Sequence, residues 1–243
     1  MLRPDPKGDI FLSVVIPAYD EEERIVGTLN KIGDYLRRQK YTSETIVVDD
    51  GSRDRTAELA AAAIREMKNA QIVRLPKNLG KGAAVKEGIL QARGNWILFS
   101  DADLSTPIEE LEKFLPWIDG GCDVVIGSRA LPESDIQIRQ FFVRELMGKV
   151  FNVFVRLMII KGIRDTQCGF KLFRREAARH VFPRVKTKGF GFDVEALYLC
   201  RCLGYRIQQV PVVWRNSPPS KVKIVKGSLR MFLDLMKIRR LHK

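Results

Sequence analysis

The chain has 243 residues, a formal net charge of +13 and 45% hydrophobic residues. That length fits one domain with a substantial core and no need of disulfides, while the charge points to an anionic partner: nucleic acid, anionic lipid or a phosphorylated substrate. Cys122, Cys168, Cys200 and Cys202 form no CxxC pair, and His180 and His242 are the only histidines. A zinc site is therefore disfavoured, and reduced, mostly buried thiols are expected.

No signal peptide is expected, because the apolar stretch 10–16 is short and runs straight into Pro17 and the acidic residues 20–23. No window reaches ~18 uninterrupted apolar residues, so any membrane contact is expected to be interfacial.

In chain order, 11–16 reads as a strand. Residues 20–39 follow with Ile25, Leu29, Ile32 and Leu36 at helical spacing. A strand over 45–48 ends in Asp49-Asp50-Gly51-Ser52. Then come a helix over 57–67, a strand over 71–75, a helix over 83–92 and a strand over 96–100. Thr106-Pro107-Ile108-Glu109 reads as a capping box with proline at the first helical position, opening a helix to about Ile118. Another strand covers 123–127. Strands alternating with helices predict right-handed βαβ units and a mostly parallel, Rossmann-like α/β sheet.

Ligands of such sheets bind beyond the carboxyl ends of the strands. The unusual residues stand there: Pro17-Ala18-Tyr19, Asp49-Asp50, Asp101-Ala102-Asp103 and Ser128-Arg129. Residues 141–160 are strongly apolar, with Glu145, Lys149, Asn152 and Arg156 on one narrow helical stripe. Residues 222–241 set Val225, Leu229, Phe232 and Met236 against Lys223, Lys226, Arg230 and Lys237. That is the pattern of a helix lying in a membrane interface. A core or dimer-interface helix is the other reading of 141–160.

Asp101-x-Asp103 closes an apolar strand, where two carboxylates can share one hard cation, Mg2+ or Mn2+, and leave positions open for phosphate oxygens. A solvated loop is the competing reading. Asp49-Asp50-Gly51-Ser52 suits either ribose or base hydrogen bonds or a plain Asp-Gly turn. Asn78-Leu79-Gly80-Lys81-Gly82 opens a helix, whose N-terminus favours anions. It has neither the P-loop spacing nor GxGxxG.

Together, the segment from Val14 to Glu22, Val47-Val48-Asp49-Asp50-Gly51-Ser52, Asn78 to Gly82 and Asp101-Ala102-Asp103 resemble the family 2 glycosyltransferases of the GT-A fold. Gly127-Ser128-Arg129, the run from Arg164 to Lys171 and Phe192-Asp193-Val194-Glu195 are similar to the dolichyl-phosphate β-glucosyltransferase branch. The resemblance covers nearly the whole chain. It implies a nucleotide-sugar pocket at Pro17, Ala18, Tyr19, Glu21, Asp49, Asp50, Lys81, Asp101 and Ala102, and a metal at Asp101 and Asp103. It implies an acceptor phosphate at Arg129, Arg139, Arg144, Gln167 and Lys171, with Asp165 completing the catalytic set of Asp101, Asp103 and Arg129. Asp193 and Glu195 would bind sugar hydroxyls or pair with nearby arginines. Two departures stand out. Ser105 occupies the position where some members have a glutamine contacting the metal, and the extra transmembrane helices of many members are not seen.

The resemblance further implies an inverting transfer of a hexose to a polyprenyl or dolichyl phosphate by a peripheral protein on the cytoplasmic face of a membrane. UDP-glucose is the expected donor and GDP-mannose the alternative. The implied organisation is one GT-A domain with a donor half (1–130), an acceptor half (131–221) and a basic amphipathic tail helix (222–243). A transferase with another acceptor, a noncatalytic nucleotide-sugar-binding protein and a nucleic-acid-binding protein are the competing classes. No nucleic-acid module is recognisable, so no nucleic-acid partner is expected.

Overall fold

The structure, a computed structural model, describes residues 10–138, 155, 159–216 and 237–242. Most of 141–160 and 222–241, together with Arg139 and Arg144, lies outside the described residues.

A seven-stranded sheet carries the molecule. Its strands are β1 (Leu12–Ala18), β2 (Ser43–Asp49), β3 (Ala70–Arg74), β4 (Trp96–Ser100), β5 (Val124–Ser128), β7 (Phe170–Arg174) and β8 (Ile207–Pro211), in the order β3-β2-β1-β4-β7-β5-β8. β6 (Asp135–Ile138) and β9 (Val213–Arg215) form a separate parallel pair. The helices are α1 (Ile25–Arg37), α2 (Thr56–Ala63), α3 (Lys81–Gln91), α4 (Leu115–Asp119), α5 (Arg175–Val181) and α6 (Phe192–Cys202).

Strands buried on both faces are apolar throughout, and their side chains alternate between two cores. Val15, Ile97, Phe99, Val124, Ile126 and Phe173 point to the side covered by α3, α5 and α6. Val14, Ile16, Leu98, Val125 and Leu172 point to the side covered by α1 and α2. α1 buries Ile25, Leu29 and Ile32 completely. Each such side chain contributes about 1.5–3 kcal/mol, as an upper figure.

Three expectations are corrected in detail. α1 begins at Ile25, because residues 20–24 form the turn that joins it to β1. α3 begins at Lys81, two residues before the expected start. The single helix expected over 106–118 is a 3-10 helix (Ile108–Lys113) followed by the short α4. Pro107 is its N-cap residue, and no side chain caps it. Pro116 sits in the first turn of α4, where its missing N–H leaves no intrahelical bond unmade.

β7 runs antiparallel between β4 and β5. Its first residue, Phe170, pairs with Ser100, the last residue of β4. The loop entering β7 therefore reaches the same sheet edge as the loops leaving β1, β2, β4 and β5. Among the described residues no helix is long and apolar enough to cross a membrane. Val155 and Ile160, at the end of the apolar segment, are buried in the core with Ile238. All four cysteines are free, three of them buried and Cys202 exposed.

Candidate active site

The loops after β1 and β2 are stitched into one wall. Asp20 N donates to Ser52 Oγ at 2.9 Å, Glu21 N to Thr56 Oγ1 at 2.6 Å, and Arg53 N to Asp20 Oδ1 at 2.8 Å. Pro17 and Ala18 are the last residues of β1, with Ala18 3% exposed, and its carbonyl accepts from Asp50 N at 2.8 Å. Tyr19 is half-buried beside them. Glu21 Oε2 forms an ion pair with Arg24 at 2.6 Å.

Asp49 has no exposed surface; it accepts from Ser52 N at 3.1 Å and pairs with Arg74 Nε at 3.1 Å. Asp50 accepts from Leu79 N at 2.7 Å and Gly80 N at 2.9 Å. The Leu79 and Gly80 N–H groups before α3 are thus taken by the protein's own carboxylate, and Asp50 is only 3% exposed. Burial pushes the Asp50 carboxyl up against those two bonds, which hold it down. Asp50 is a staple of the 78–80 turn in this geometry.

That turn delivers Lys81. Its Nζ lies 2.7 Å from Asp101 Oδ1 and over the rings of Phe99 and Phe190, at 5.2 and 5.6 Å. Burial alone would lower the Lys81 pKa; Asp101, Asp193 and Asp103 outweigh it and hold the ammonium above its ordinary value.

The loop after β4 is held from four sides. Asp101 N donates to Gly169 O at 3.0 Å, Thr28 Oγ1 to Ala102 O at 2.6 Å, Ser105 N to Asp103 Oδ1 at 2.8 Å, and Arg215 N to Ser105 O at 2.7 Å. Ala102 is itself buried. Leu104 adopts a left-handed φ of 43°, which costs a non-glycine residue about 1–2 kcal/mol. The surrounding bonds impose that turn and so set the aim of both carboxylates. Gly169 is required here, since a Cβ would stand 1.9 Å from Asp101 Oδ2.

Asp101 Oδ1 is buried and, apart from the Lys81 ammonium, accepts no hydrogen bond. Burial first, and then the charge of Asp101, raise the Asp103 carboxyl pKa, against the bond from Ser105. Two adjacent, part-buried carboxylates, with Asp101 Oδ1 taking only the Lys81 ammonium, fit a hard divalent cation. Among the described residues no group of three or more His, Cys, Asp or Glu side chains forms a metal cage. A cation here would keep positions for ligand oxygens, as magnesium-like sites on phosphates do.

Across β7, Arg129 leaves β5. It binds Asp165 by its own N at 3.0 Å, by Nε at 2.7 Å and by Nη2 at 2.9 Å. Gln167 N donates to the same carboxylate at 3.0 Å. Burial would raise the Asp165 pKa, but Arg129 and these N–H groups hold it down to about 2. Trp214 lies 5.5 Å under the guanidinium. Arg129 is thus fixed on two sides, remains 27% exposed, and lies near enough to Asp101 for their charges to interact.

Lys171, expected at the acceptor phosphate, is buried. It is 1% exposed, with its ammonium bound to Asp193 and to Cys168 O, the latter at 2.6 Å. Its ammonium is buried against those two partners. Asp193 accordingly pairs with a lysine, and Glu195 binds Lys186 N, Thr187 N and His242. Sequence reasoning misses Thr28, Gly169 and Trp214. Gly169 alone carries a signal, as a glycine at the foot of a strand beside the DxD.

A family profile, glycosyl transferase family 2, matches residues 13–182. The chain is 38% identical to the dolichyl-phosphate beta-glucosyltransferase of Dictyostelium discoideum, over 97% of this chain and 76% of that protein. It is 39% identical to the human protein of the same name, over 94% of this chain and 74% of that one. Among solved structures it resembles glucosyl-3-phosphoglycerate synthase from Mycobacterium tuberculosis in complex with Mn2+, UDP-glucose and glycerol 3-phosphate. The TM-score is 0.68 with 23% identity, covering 95% of this chain and 80% of that one.

Proposed function

The chain belongs to glycosyl transferase family 2, and from that premise we propose that it transfers glucose from UDP-glucose to the phosphate of dolichol or a related polyprenol. The observation that carries this reading is the placement of Arg129, clamped by Asp165 and backed by Trp214, one strand across the sheet from the Lys81–Asp101 pair. The relatives' names supply the sugar and the lipid.

In this reading the Asp101 side holds the donor. The wall of Pro17, Ala18, Tyr19, Asp49 and Glu21 would flank the nucleotide. Asp101 and Asp103 would hold the cation, Mg2+ or Mn2+. When bound, it would supply electrostatic stabilisation of the negative charge that the diphosphate gains as it leaves. Lys81 adds a fixed positive charge next to Asp101. The acceptor is a phosphate monoester carrying roughly 1.5–2 negative charges near neutral pH, so its oxygen needs no strong general base. It needs relief from repulsion by the diphosphate. Arg129 offers a guanidinium whose orientation is already fixed, and guanidinium geometry suits phosphate. A single in-line displacement turns an α-linked donor into a β-linked product. The division into a donor half (1–130) and an acceptor half (131–221) belongs to this reading, with Arg129 on the acceptor side at its boundary; β7, from the second half, lies inside the sheet of the first.

The membrane surface is the place such an acceptor imposes, because a long apolar chain does not leave a bilayer cheaply. The net charge of +13 supports this, each basic residue near an anionic surface contributing roughly 1 kcal/mol.

Replacing Arg129 with Lys keeps the charge and removes the fork. The expected result is a rise in the acceptor KM of at least about tenfold, with UDP-glucose affinity within about twofold of wild type. An unchanged acceptor KM, or a loss confined to donor binding, would remove Arg129 from the acceptor side.

A further inference from the structure

Residues 237–242 lie against α6 and the segment before it. Ile238 has no exposed surface and belongs to the core beneath α3, α5 and α6. His242 Nε2 stands 2.6 Å from Glu195 Oε1; an ionised carboxylate only accepts, so the imidazole N–H donates. Glu195, with no exposed surface, also accepts from Lys186 N at 2.9 Å and Thr187 N at 2.7 Å. Lys186 closes the circuit by donating Nζ to Leu241 O at 3.0 Å. Burial would push the Glu195 carboxyl up, but the bonds from Thr187, Lys186 and His242 hold it below the usual range.

The segment fixed in this way is the seat of the Lys81 turn. Gly80 has φ of 103°, and a Cβ there would lie 2.5 Å from Lys188 O. The same carbonyl accepts from Ala83 N at 3.3 Å, and Lys86 Nζ donates to Pro183 O and Val185 O, both at 2.9 Å. On its other side the turn is held by Asp50. A continuous path therefore runs from His242 through Glu195, Thr187 and Lys188 to Gly80, Lys81 and Asp101.

We propose that residues 237–242 are part of the donor site, with His242 and Glu195 as positioning residues that set the seat of the Gly80–Lys81 turn against Asp101. This rests on the reading of the Asp101 side as the donor side. One carboxylate tethers both backbone N–H groups of the seat, and His242 orients that carboxylate. Removing the imidazole frees Glu195 to rotate and the seat to shift. The Lys81 contact is present before and during transfer, so its loosening appears in donor binding more than in turnover of bound donor.

The test uses the full chain and two substitutions, His242→Ala and His242→Gln, the second keeping an N–H donor. Hydrogen exchange is followed at residues 80–83 and 186–188, and UDP-glucose binding with Mn2+ is measured by calorimetry beside thermal unfolding. His242→Ala should speed exchange in both segments and weaken UDP-glucose binding about tenfold, with kcat at saturating donor within about twofold of wild type; His242→Gln should restore both. Unchanged exchange at 80–83 in His242→Ala, whatever happens to its Tm, overturns the proposal, as does an exchange change that His242→Gln leaves in place. Failure of the wild type to bind UDP-glucose strikes the donor reading instead, and the exchange experiment still decides the role of His242.

Discussion

Asp101 and Asp103 stand one residue apart with different partners: Asp101 faces Lys81, and Asp103 is capped by Ser105 N. Asp103→Asn keeps the shape and the Ser105 bond while removing charge from the cation position. Transfer should fall on the order of 100-fold or more, with circular dichroism and Tm close to wild type; full activity would take the cation away from this pair. Asp165 has a second consequence. Its carboxyl is depressed to about 2 from 3.8, so the folded state binds fewer protons there than the unfolded chain. The contribution, about 2 kcal/mol, is present above about pH 4 and lost as pH falls through about 2. Acid unfolding followed by fluorescence should be less steep between about pH 4 and 2 in Asp165→Asn, which also leaves the Arg129 charge less well matched. The DxD is legible in the sequence because two carboxylates after an apolar strand say both what they are and where they sit. Lys171 is not: its partner Asp193 is 22 residues away and meets it only when α6 packs on the sheet.

At the scale of elements, the site depends on α1 reaching the loop after β4. Thr28 is the contact, 74 residues from the carbonyl it serves. Thr28→Val leaves the Ala102 carbonyl buried without that partner and should cost about 1–3 kcal/mol, read as a lower Tm, with weaker metal-dependent UDP-glucose binding as the loop loosens. Stability loss without any change in donor binding would mean that Asp101 and Asp103 are aimed by the other three bonds alone. The parallel strands β1 to β5 are legible because apolar runs alternate with helical periods along the chain. β7 is not read, because its place between β4 and β5 is a long-range pairing, and its five residues adjoin a motif that draws attention for its polar members. The start of α4 is legible in Pro116, since proline is favoured in the first turn of a helix. The glycine-rich turn is legible as a helix start, but Asp50 as its staple is not, since residues 50 and 79 meet only through the β2–α3 geometry.

For the whole molecule, the sheet edge gathers Asp50, Asp101, Asp103 and Arg129, and the chain carries a net charge of +13. If the membrane reading holds, flotation with vesicles containing anionic lipid should be strong at low salt and fall as ionic strength rises, while vesicles of neutral lipid recover little protein. Equal recovery from both would assign the charge to another task. In the proposed reaction glucose moves from a nucleotide to a lipid phosphate at Asp101, Asp103 and Arg129. The most direct measurement presents purified protein with dolichyl phosphate, Mn2+ or Mg2+ and, in parallel, UDP-glucose, UDP-galactose, GDP-mannose and UDP-N-acetylglucosamine, and identifies the glycolipid by mass spectrometry. The account predicts a β-linked dolichyl-phosphate glucose from UDP-glucose, lost in excess chelator and in Asp103→Asn. Transfer from GDP-mannose in preference to UDP-glucose, or transfer that survives both chelator and substitution, would contradict it.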